Sequence, residues 1–144
     1  MKFIFEATMN FTQAIQLSVL RELVKALHAG QQQAFEQQFK HYENAHVLGQ
    51  ASTYWHTYTH WLMLRWGWQH RVYNEVAGQV IRIIGAVSKT AVGLLPTGNT
   101  GGANISPFKP LELSPEHAVA IEQAKKRTLG RHEQLDKECD CQHH

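Results

Sequence analysis

The sequence predicts an all-α domain, and three observations carry the prediction. Apolar residues recur at spacings of three and four in four successive segments of the first 92 residues, as on one face of a helix. Short polar connections separate these segments. Ser114-Pro115-Glu116 then has the composition of a helix start, with a capping serine, a proline and an acid. We therefore expect two antiparallel helical hairpins in a compact bundle, a long structured loop and a C-terminal helix.

The first hairpin is predicted to run from Asn10 to Leu48. Asn10 and Gln13 have the spacing of a capping box, and Gly30 is expected to end the first helix in a left-handed conformation. The apolar stripe of this helix consists of Ile15, Val19, Leu20, Leu23, Val24 and Leu27. The stripe of the second helix consists of Phe35, Phe39, Tyr42 and His46. A histidine therefore holds a core-type position.

The second hairpin begins after Ser52 or Thr53. Its first helix is predicted to end at Trp66 and is apolar nearly all round, which is typical of a central helix. Its second helix begins near His70 and has a stripe made of Val72, Val76, Val80, Ile83 and Val87. The connections starting at Gly30 and at Gly67 are 37 residues apart and similar, as in tetratricopeptide-type hairpins. Two hairpins are too few for a solenoid, so a compact arrangement is expected.

The remainder of the chain divides into three parts. Residues 96–110 are rich in Gly, Asn, Thr and Pro and are expected to form a structured loop. The final helix is predicted from Pro115 to about Thr128. The sequence thus favours one helical domain over residues 1–130 and a flexible Cys/His-rich tail over residues 131–144.

Composition excludes several classes of protein. The chain of 144 residues is 43% hydrophobic and 18% charged, which is typical of a globular domain, and its formal charge of +2 does not indicate nucleic-acid binding. The first residues, MKFIFEATM, are interrupted by Glu6 and do not resemble a signal peptide. Residues 76–96 contain Gln79, Arg82 and Lys89, which disfavours a membrane span. We therefore predict a cytoplasmic protein whose two cysteines are thiols.

Four side chains around a predicted chain reversal have the chemistry of metal ligands: Glu43, His46, His56 and His60. The members of each pair are three or four residues apart, so each pair lies on one face of a helix. If the chain reverses near Ala51, His46 and His56 both lie ~7.5 Å from the turn, and are therefore level. We predict a mononuclear site for zinc, with iron or copper as alternatives. A second Glu-x-x-His is missing, which disfavours a di-iron centre.

Two other interpretations of these residues remain open. The histidines can be hydrogen-bonded core residues between crowded aromatic side chains. Alternatively, Glu43, His46, His60 and Gln50 can form a buried polar cluster that fixes the hairpin without an ion. In the metal interpretation, Gln50 or Tyr42 is expected to orient the imidazoles.

Three further features are weaker candidates. The loop containing Gly98 and Gly102 can expose backbone amides to an anion, but no Lys-Ser/Thr follows, so a structural role is favoured. The tail ligands Cys139 and Cys141, followed by two histidines, suit capture of zinc or copper(I), or are accidental. The tryptophans are expected to be core residues, which disfavours stacking on nucleic acid.

Several separated motifs resemble one uncharacterised family. They are residues 45–50 (AHVLGQ), the His56–His60 pair, and residues 60–68 (HWLMLRWGW), 75–79 (EVAGQ) and 98–106 (GNTGGANIS). In this order they resemble the family called domain of unknown function 3703, over roughly residues 35–110. The resemblance implies a small helical bacterial protein and implies no activity. The CDCQHH ending departs from the family pattern.

The leading hypothesis is a small cytoplasmic protein that binds a transition metal and acts in metal handling. The alternative is a tetratricopeptide-like module that binds a peptide or partner helix, with structural histidines and no metal. An enzyme is a third interpretation, because no nucleophile–base pair is legible but an open metal position would permit hydrolysis.

Overall fold

The computed structural model describes residues 10–90 and 113–140. Within these ranges the chain forms five helices and no strand: α1 (Phe11–Gln31), α2 (Phe35–Gly49), α3 (Thr53–Gln69), α4 (Tyr73–Thr90) and α5 (Pro115–Asp140). The predicted all-α fold is therefore confirmed. The glycine-rich loop of residues 96–110 lies outside the described residues.

The helices pack in the order of two consecutive hairpins. α1 lies along α2 and α3 lies along α4, while α2 and α3 join the two pairs. α5 packs on α1 and, over a smaller contact, on α2. It continues to Asp140, so the predicted end at Thr128 falls inside the helix. None of the helices in the described part of the chain has the length and apolar character needed to cross a bilayer.

The two hairpins close through the same backbone geometry. In the α1–α2 turn the Ala34 amide donates to the Ala29 carbonyl at 2.9 Å, and in the α3–α4 turn the Val72 amide donates to the Gly67 carbonyl at 2.8 Å. The left-handed residues are Gln33, with φ 58°, and Arg71, with φ 60°. The predicted repeat is thus present in the backbone, with a register of 38 residues rather than 37.

The prediction of a left-handed stop at Gly30 is wrong, because α1 continues through this residue. A Cβ atom at Gly30 would lie 2.6 Å from the Nε2 atom of Gln38. That atom is the end of a flexible side chain that can turn aside, so the contact does not require glycine; the left-handed turn follows three residues later at Gln33. The capping box of Asn10 and Gln13 is present as predicted.

The apolar core lies where α1, α2, α3 and α5 meet. Its buried members are Ala14, Ile15, Val19, Ala45, Leu48, Trp55 and Ala124. The predicted stripe of α1 is only partly correct, since Leu20, Val24 and Leu27 are exposed. Glu22, Ala26 and Ala29 are buried in their place. The alanines let α2 approach closely, and the partners of Glu22 explain its burial.

The orientation of α4 differs from the prediction in a way that shapes the candidate site. Val72 and Val80, from the predicted inner stripe, are 40% and 43% exposed. The residues buried on α4 include Glu75, Gln79 and Arg82, which are 5%, 0% and 9% exposed. α4 therefore presents a polar face to α3, where His60 and Met63 offer matching partners.

The α2–α3 corner sets the position of the predicted ligands. A Cβ atom at Gly49 would lie 2.5 Å from the Cβ of Trp55, so only glycine fits this approach. Ser52 caps α3 by accepting from the Trp55 amide at 3.3 Å. The Trp55 indole in turn donates to the Thr12 carbonyl at 3.0 Å. The corner is thereby fixed to α1, and the last turn of α2 lies beside the first turns of α3.

Candidate metal centre

Three histidines from α2 and α3 meet in the interior, and we call them the histidine triangle: His46, His56 and His60. Their exposed fractions are 2%, 6% and 2%. The ring centroids are 4.7 Å (His46–His56), 4.5 Å (His46–His60) and 4.8 Å (His56–His60) apart. One nitrogen from each ring lies within 4.8 Å of the other two. The three rings thus form a nearly equilateral triangle around one point.

The sequence builds this triangle from two local rules. His56 and His60 are four residues apart on α3, so their side chains lie on the same face. His46 lies in the last turn of α2, and the tight corner at Gly49 brings that turn against α3. Sequence spacing and one chain reversal are therefore enough to bring the three rings together.

The spacing of the rings can be compared with that of zinc ligands. The Nε2 atoms of His56 and His60 are 3.1 Å apart. Two nitrogens bound to one tetrahedral zinc ion are ~3.3 Å apart, because each Zn–N bond is ~2.0–2.1 Å long. This pair therefore needs only a small opening, and the ligand nitrogens of all three rings lie within 4.8 Å of one another.

A chain of hydrogen bonds assigns the protons on two of the rings. The Nδ1 atom of His60 lies 2.6 Å from the Oε1 atom of Gln79. An amide oxygen can only accept, so Nδ1 carries the proton and Nε2 of His60 has a lone pair. His56 then donates its Nε2 proton to His60. The Nδ1 atom of His56 is buried and has no hydrogen-bond partner among the described residues.

Burial keeps His56 and His60 neutral. Desolvation, together with the charge of Arg82, lowers the pKa of His56 to about 4. Desolvation and the neighbouring His56 lower the pKa of His60 to about 3, although the hydrogen bond to Gln79 acts in the opposite direction. Neutral imidazole is the form that binds metal ions, so at neutral pH these two rings need not lose a proton from a charged state.

The polar face of α4 borders the triangle. Gln79 accepts from His60 through its oxygen and donates through its nitrogen to the Oε1 atom of Glu75, at 2.5 Å, and to the sulfur of Met63, at 3.8 Å. Burial lowers the pKa of Arg82, and the negative charge of Glu75 opposes this. Sequence reasoning did not assign these residues to the site. The available signal was their spacing of four and three, which makes a polar stripe on an otherwise apolar helix.

The predicted ligands other than the histidines have different surroundings. Glu43 lies one turn before His46, its carboxylate accepts from Lys40 at 3.3 Å, and it is not among the converging ligand atoms. Its role as a fourth ligand stays a prediction. Cys139 belongs to α5 and Cys141 lies outside the described residues, so tail binding also stays a prediction.

The residue that orients His60 was not among the two expected to orient the imidazoles. The hydroxyl of Tyr42 accepts from Gln38 at 3.2 Å and not from a histidine of the triangle. Gln50 is buried, but the amide that holds His60 belongs to Gln79. Prediction from α2 and α3 alone overlooked this group because it comes from the next helix.

The expectation that the tryptophans are core residues is correct for Trp55 and in part for Trp66, which is half-buried against Phe39. Trp61 and Trp68 are 43% and 67% exposed. Tyr54, Tyr58 and Trp61 stack along the outer face of α3 with successive ring centroids 6.0 Å apart. The guanidinium carbon of Arg65 lies 5.2 Å from the Trp61 ring centroid. We call this surface the aromatic stripe.

Fold and site together define a class of all-α, helical-hairpin protein with three buried histidines between its central helices. The family model described as "Protein of unknown function (DUF3703)" matches residues 13–121, and the chain belongs to this family. No curated protein and no solved structure matches the chain.

Proposed function

We propose that this protein binds one transition metal ion, zinc in the first instance, through nitrogens of His46, His56 and His60, and that its role is metal handling. The observation that carries the proposal is the convergence of three buried imidazoles on one point. In two of them, the nitrogens are separated by nearly the distance that a tetrahedral ion requires.

The hydrogen bonds of the histidine triangle leave one ring nitrogen of His56 unsatisfied among the described residues. Buried polar atoms are nearly always hydrogen-bonded, and an unsatisfied one costs ~1–3 kcal/mol. His56 and His60 share a single proton between their Nε2 atoms, while Nδ1 of His56 has no hydrogen-bond partner in the described part of the chain. A metal ion bound between the Nε2 atoms would use one lone pair from each ring, with the His56 proton moved from Nε2 to Nδ1.

Three imidazoles leave one position of a four-coordinate ion for another ligand. Glu43 remains a candidate, because it projects from the same side of α2 as His46 one turn away, but it would have to leave Lys40. The burial of all three rings favours retention and transfer of an ion over turnover of a substrate. Iron and copper(I) are the alternative ions, since imidazole suits both.

The second candidate function is a peptide-binding module, and the aromatic stripe favours it. Stacked, exposed tyrosine and tryptophan rings beside an arginine are frequent anchors in protein recognition. In this function the histidine triangle would stabilise the α2–α3 corner and bind no ion.

Zinc titration of the full-length, tag-free protein separates the two functions. The metal-free protein is titrated with Zn²⁺ against a chromophoric chelator. We expect one tight site that the His56→Asn/His60→Asn double substitution abolishes, with α-helical circular dichroism retained. The matched control is His28→Asn, because His28 is an exposed histidine on α1 and the substitution should leave binding unchanged.

A second variant isolates the tail. Replacing Cys139 and Cys141 with serine and the last two histidines with alanine should leave the tight site in place. The proposal is wrong if the wild-type protein binds no zinc more tightly than the double variant does. It is equally wrong if binding disappears with the tail ligands and persists without His56 and His60.

A further inference from the structure

We propose that Glu75 and Gln79, two buried residues of α4 outside the histidine triangle, are positioning residues that hold His60 in the tautomer required of a metal ligand. This inference rests on the proposed function. It makes the α3–α4 hairpin, and not only the α2–α3 corner, part of the metal centre.

The first step is that both ends of the Gln79 amide, the oxygen and the nitrogen, are hydrogen-bonded. Its oxygen accepts from Nδ1 of His60 at 2.6 Å. Its nitrogen faces the Glu75 carboxylate and the sulfur of Met63. An amide accepts through its oxygen and donates through its nitrogen, so both ends of the Gln79 amide have partners that suit them.

The second step is that the charge of Glu75 decides which way the amide points. A carboxylate is an acceptor only, and it therefore requires the NH₂ end of Gln79. If the amide turned over, its oxygen would face the carboxylate oxygen and the interaction would be repulsive. The two groups are four residues apart on one helix, which keeps them in contact whatever happens at α3.

The third step carries this orientation to the metal. Because the Gln79 oxygen faces His60, the ring proton stays on Nδ1 and the Nε2 lone pair points at His56. Hydrogen bonds of this kind fix the ring orientation of metal-binding histidines and raise their basicity. The Glu75 carboxylate therefore controls, through the Gln79 amide, whether Nε2 of His60 is free to bind an ion.

The test uses a substitution that changes the charge of Glu75 and almost nothing of its shape. Glu75→Gln lets either end of the Gln79 amide face position 75, so His60 loses its enforced tautomer. Ring ¹⁵N shifts of His60 in the metal-free protein should report Nδ1–H in the wild type and a mixture with Nε2–H in the variant. Zinc affinity should fall ~10–100-fold, which is the usual effect of losing such a partner. Glu36→Gln, at an exposed position on α2, is the control and should change neither readout.

Exchanging the two residues supplies a rescue. In the Glu75→Gln/Gln79→Glu double variant, the order of the groups is reversed, but a carboxylate oxygen again accepts from Nδ1 of His60. We expect the Nδ1–H tautomer to return and zinc affinity to recover to within a few-fold of wild type. A variant that merely lost packing would not be restored by the exchange.

The outcomes also separate this inference from the proposed function. If the wild-type protein binds no zinc, the proposed function and the role inferred for Glu75 and Gln79 both fail, although the ¹⁵N shifts still show whether the pair sets the tautomer. If zinc binds but wild-type His60 carries its proton on Nε2, the inference alone is overturned. An unchanged tautomer and affinity in Glu75→Gln would overturn it as well. Should Glu75→Gln not fold, the wild-type shifts and the exchanged pair decide the matter.

Discussion

Two buried polar clusters in this molecule have opposite chemistry. The Glu22 cluster joins α1 to α2: Glu22, which is 7% exposed, accepts from Lys25 at 2.6 Å, from His41 at 2.8 Å and from Asn44 at 3.1 Å. The histidine triangle joins α2 to α3 and contains two rings, His56 and His60, that burial keeps neutral. One cluster holds a charge that its neighbours satisfy, and the other holds imidazole rings whose nitrogens converge.

The pKa values express this difference. Burial raises the pKa of Glu22, but hydrogen bonds from Lys25, His41 and Asn44 outweigh it and lower the pKa to about 2. In the triangle, burial lowers the pKa of His56 to about 4 and of His60 to about 3. The first environment thus stabilises an ion that is already there, while the second rejects a proton. A divalent metal ion, unlike a proton, would engage all three rings at once.

The largest expected effect is the acid sensitivity of the metal-free protein. A histidine whose pKa is lowered by folding takes up a proton in the unfolded state first, so stability falls as the pH drops from about 6.5 towards the folded values of about 4 and 3. We expect the free energy of unfolding to fall by roughly 3 kcal/mol between pH 7 and pH 5, measured by urea unfolding with chelator present.

Substitutions separate the two clusters in the same experiment. His56→Asn/His60→Asn should flatten the profile between pH 7 and pH 5. Glu22→Gln should leave that interval unchanged and act lower, because a depressed carboxyl pKa gives stability that is lost only from about pH 4.5 towards 2. Equal slopes for wild type and the histidine variant above pH 5 would contradict the prediction.

The next effect concerns Glu22 itself. Glu22→Ala removes the shared acceptor of Lys25, His41 and Asn44 and leaves a small cavity between α1 and α2. We expect a loss of about 2 kcal/mol of stability at pH 7. Zinc affinity should not change, because none of these residues contacts the triangle through a described hydrogen bond. A combined urea and zinc titration checks both; a large loss of zinc affinity would show that the clusters are coupled.

The clusters also differ in how far the sequence predicts them. The spacing of His56 and His60 and the reversal after Gly49 are local features, so the triangle was predictable from α2 and α3. Glu22 and Gln79 were not assigned to the interior, because helical periodicity places polar residues on the solvent side. Their burial depends on partners 19 residues away in each case, His41 and His60, on a neighbouring helix.

The same reasoning explains why α4 is rotated relative to the predicted stripe. Its valines and isoleucines form one stripe and its buried polar residues form another, and periodicity alone does not say which one faces inward. The polar stripe faces inward because Gln79 accepts a hydrogen bond from His60 on α3. Glu75 in turn accepts a hydrogen bond from Gln79. The contact between the two polar stripes depends on α3 and α4 together, so the sequence of either helix alone does not predict it.

The smallest expected effects come from substitutions in the two hairpin turns. These substitutions change the hairpins that hold the two clusters and leave the residues of both clusters in place. Gln33 closes the hairpin that holds the Glu22 cluster, and Arg71 closes the one that holds Glu75 and Gln79. Both adopt positive φ, a conformation that costs a residue with a Cβ about 1 kcal/mol.

Gln33→Gly and Arg71→Gly should each raise the free energy of unfolding by about 0.5 kcal/mol, since the greater freedom of glycine in the unfolded chain offsets part of the gain. Zinc affinity should stay at the wild-type value in both, measured by the same chelator competition. If Arg71→Gly alone changed it, the α3–α4 turn would set the distance between His60 and Gln79, and the two hairpins would differ in function as well as in the charge that they bury.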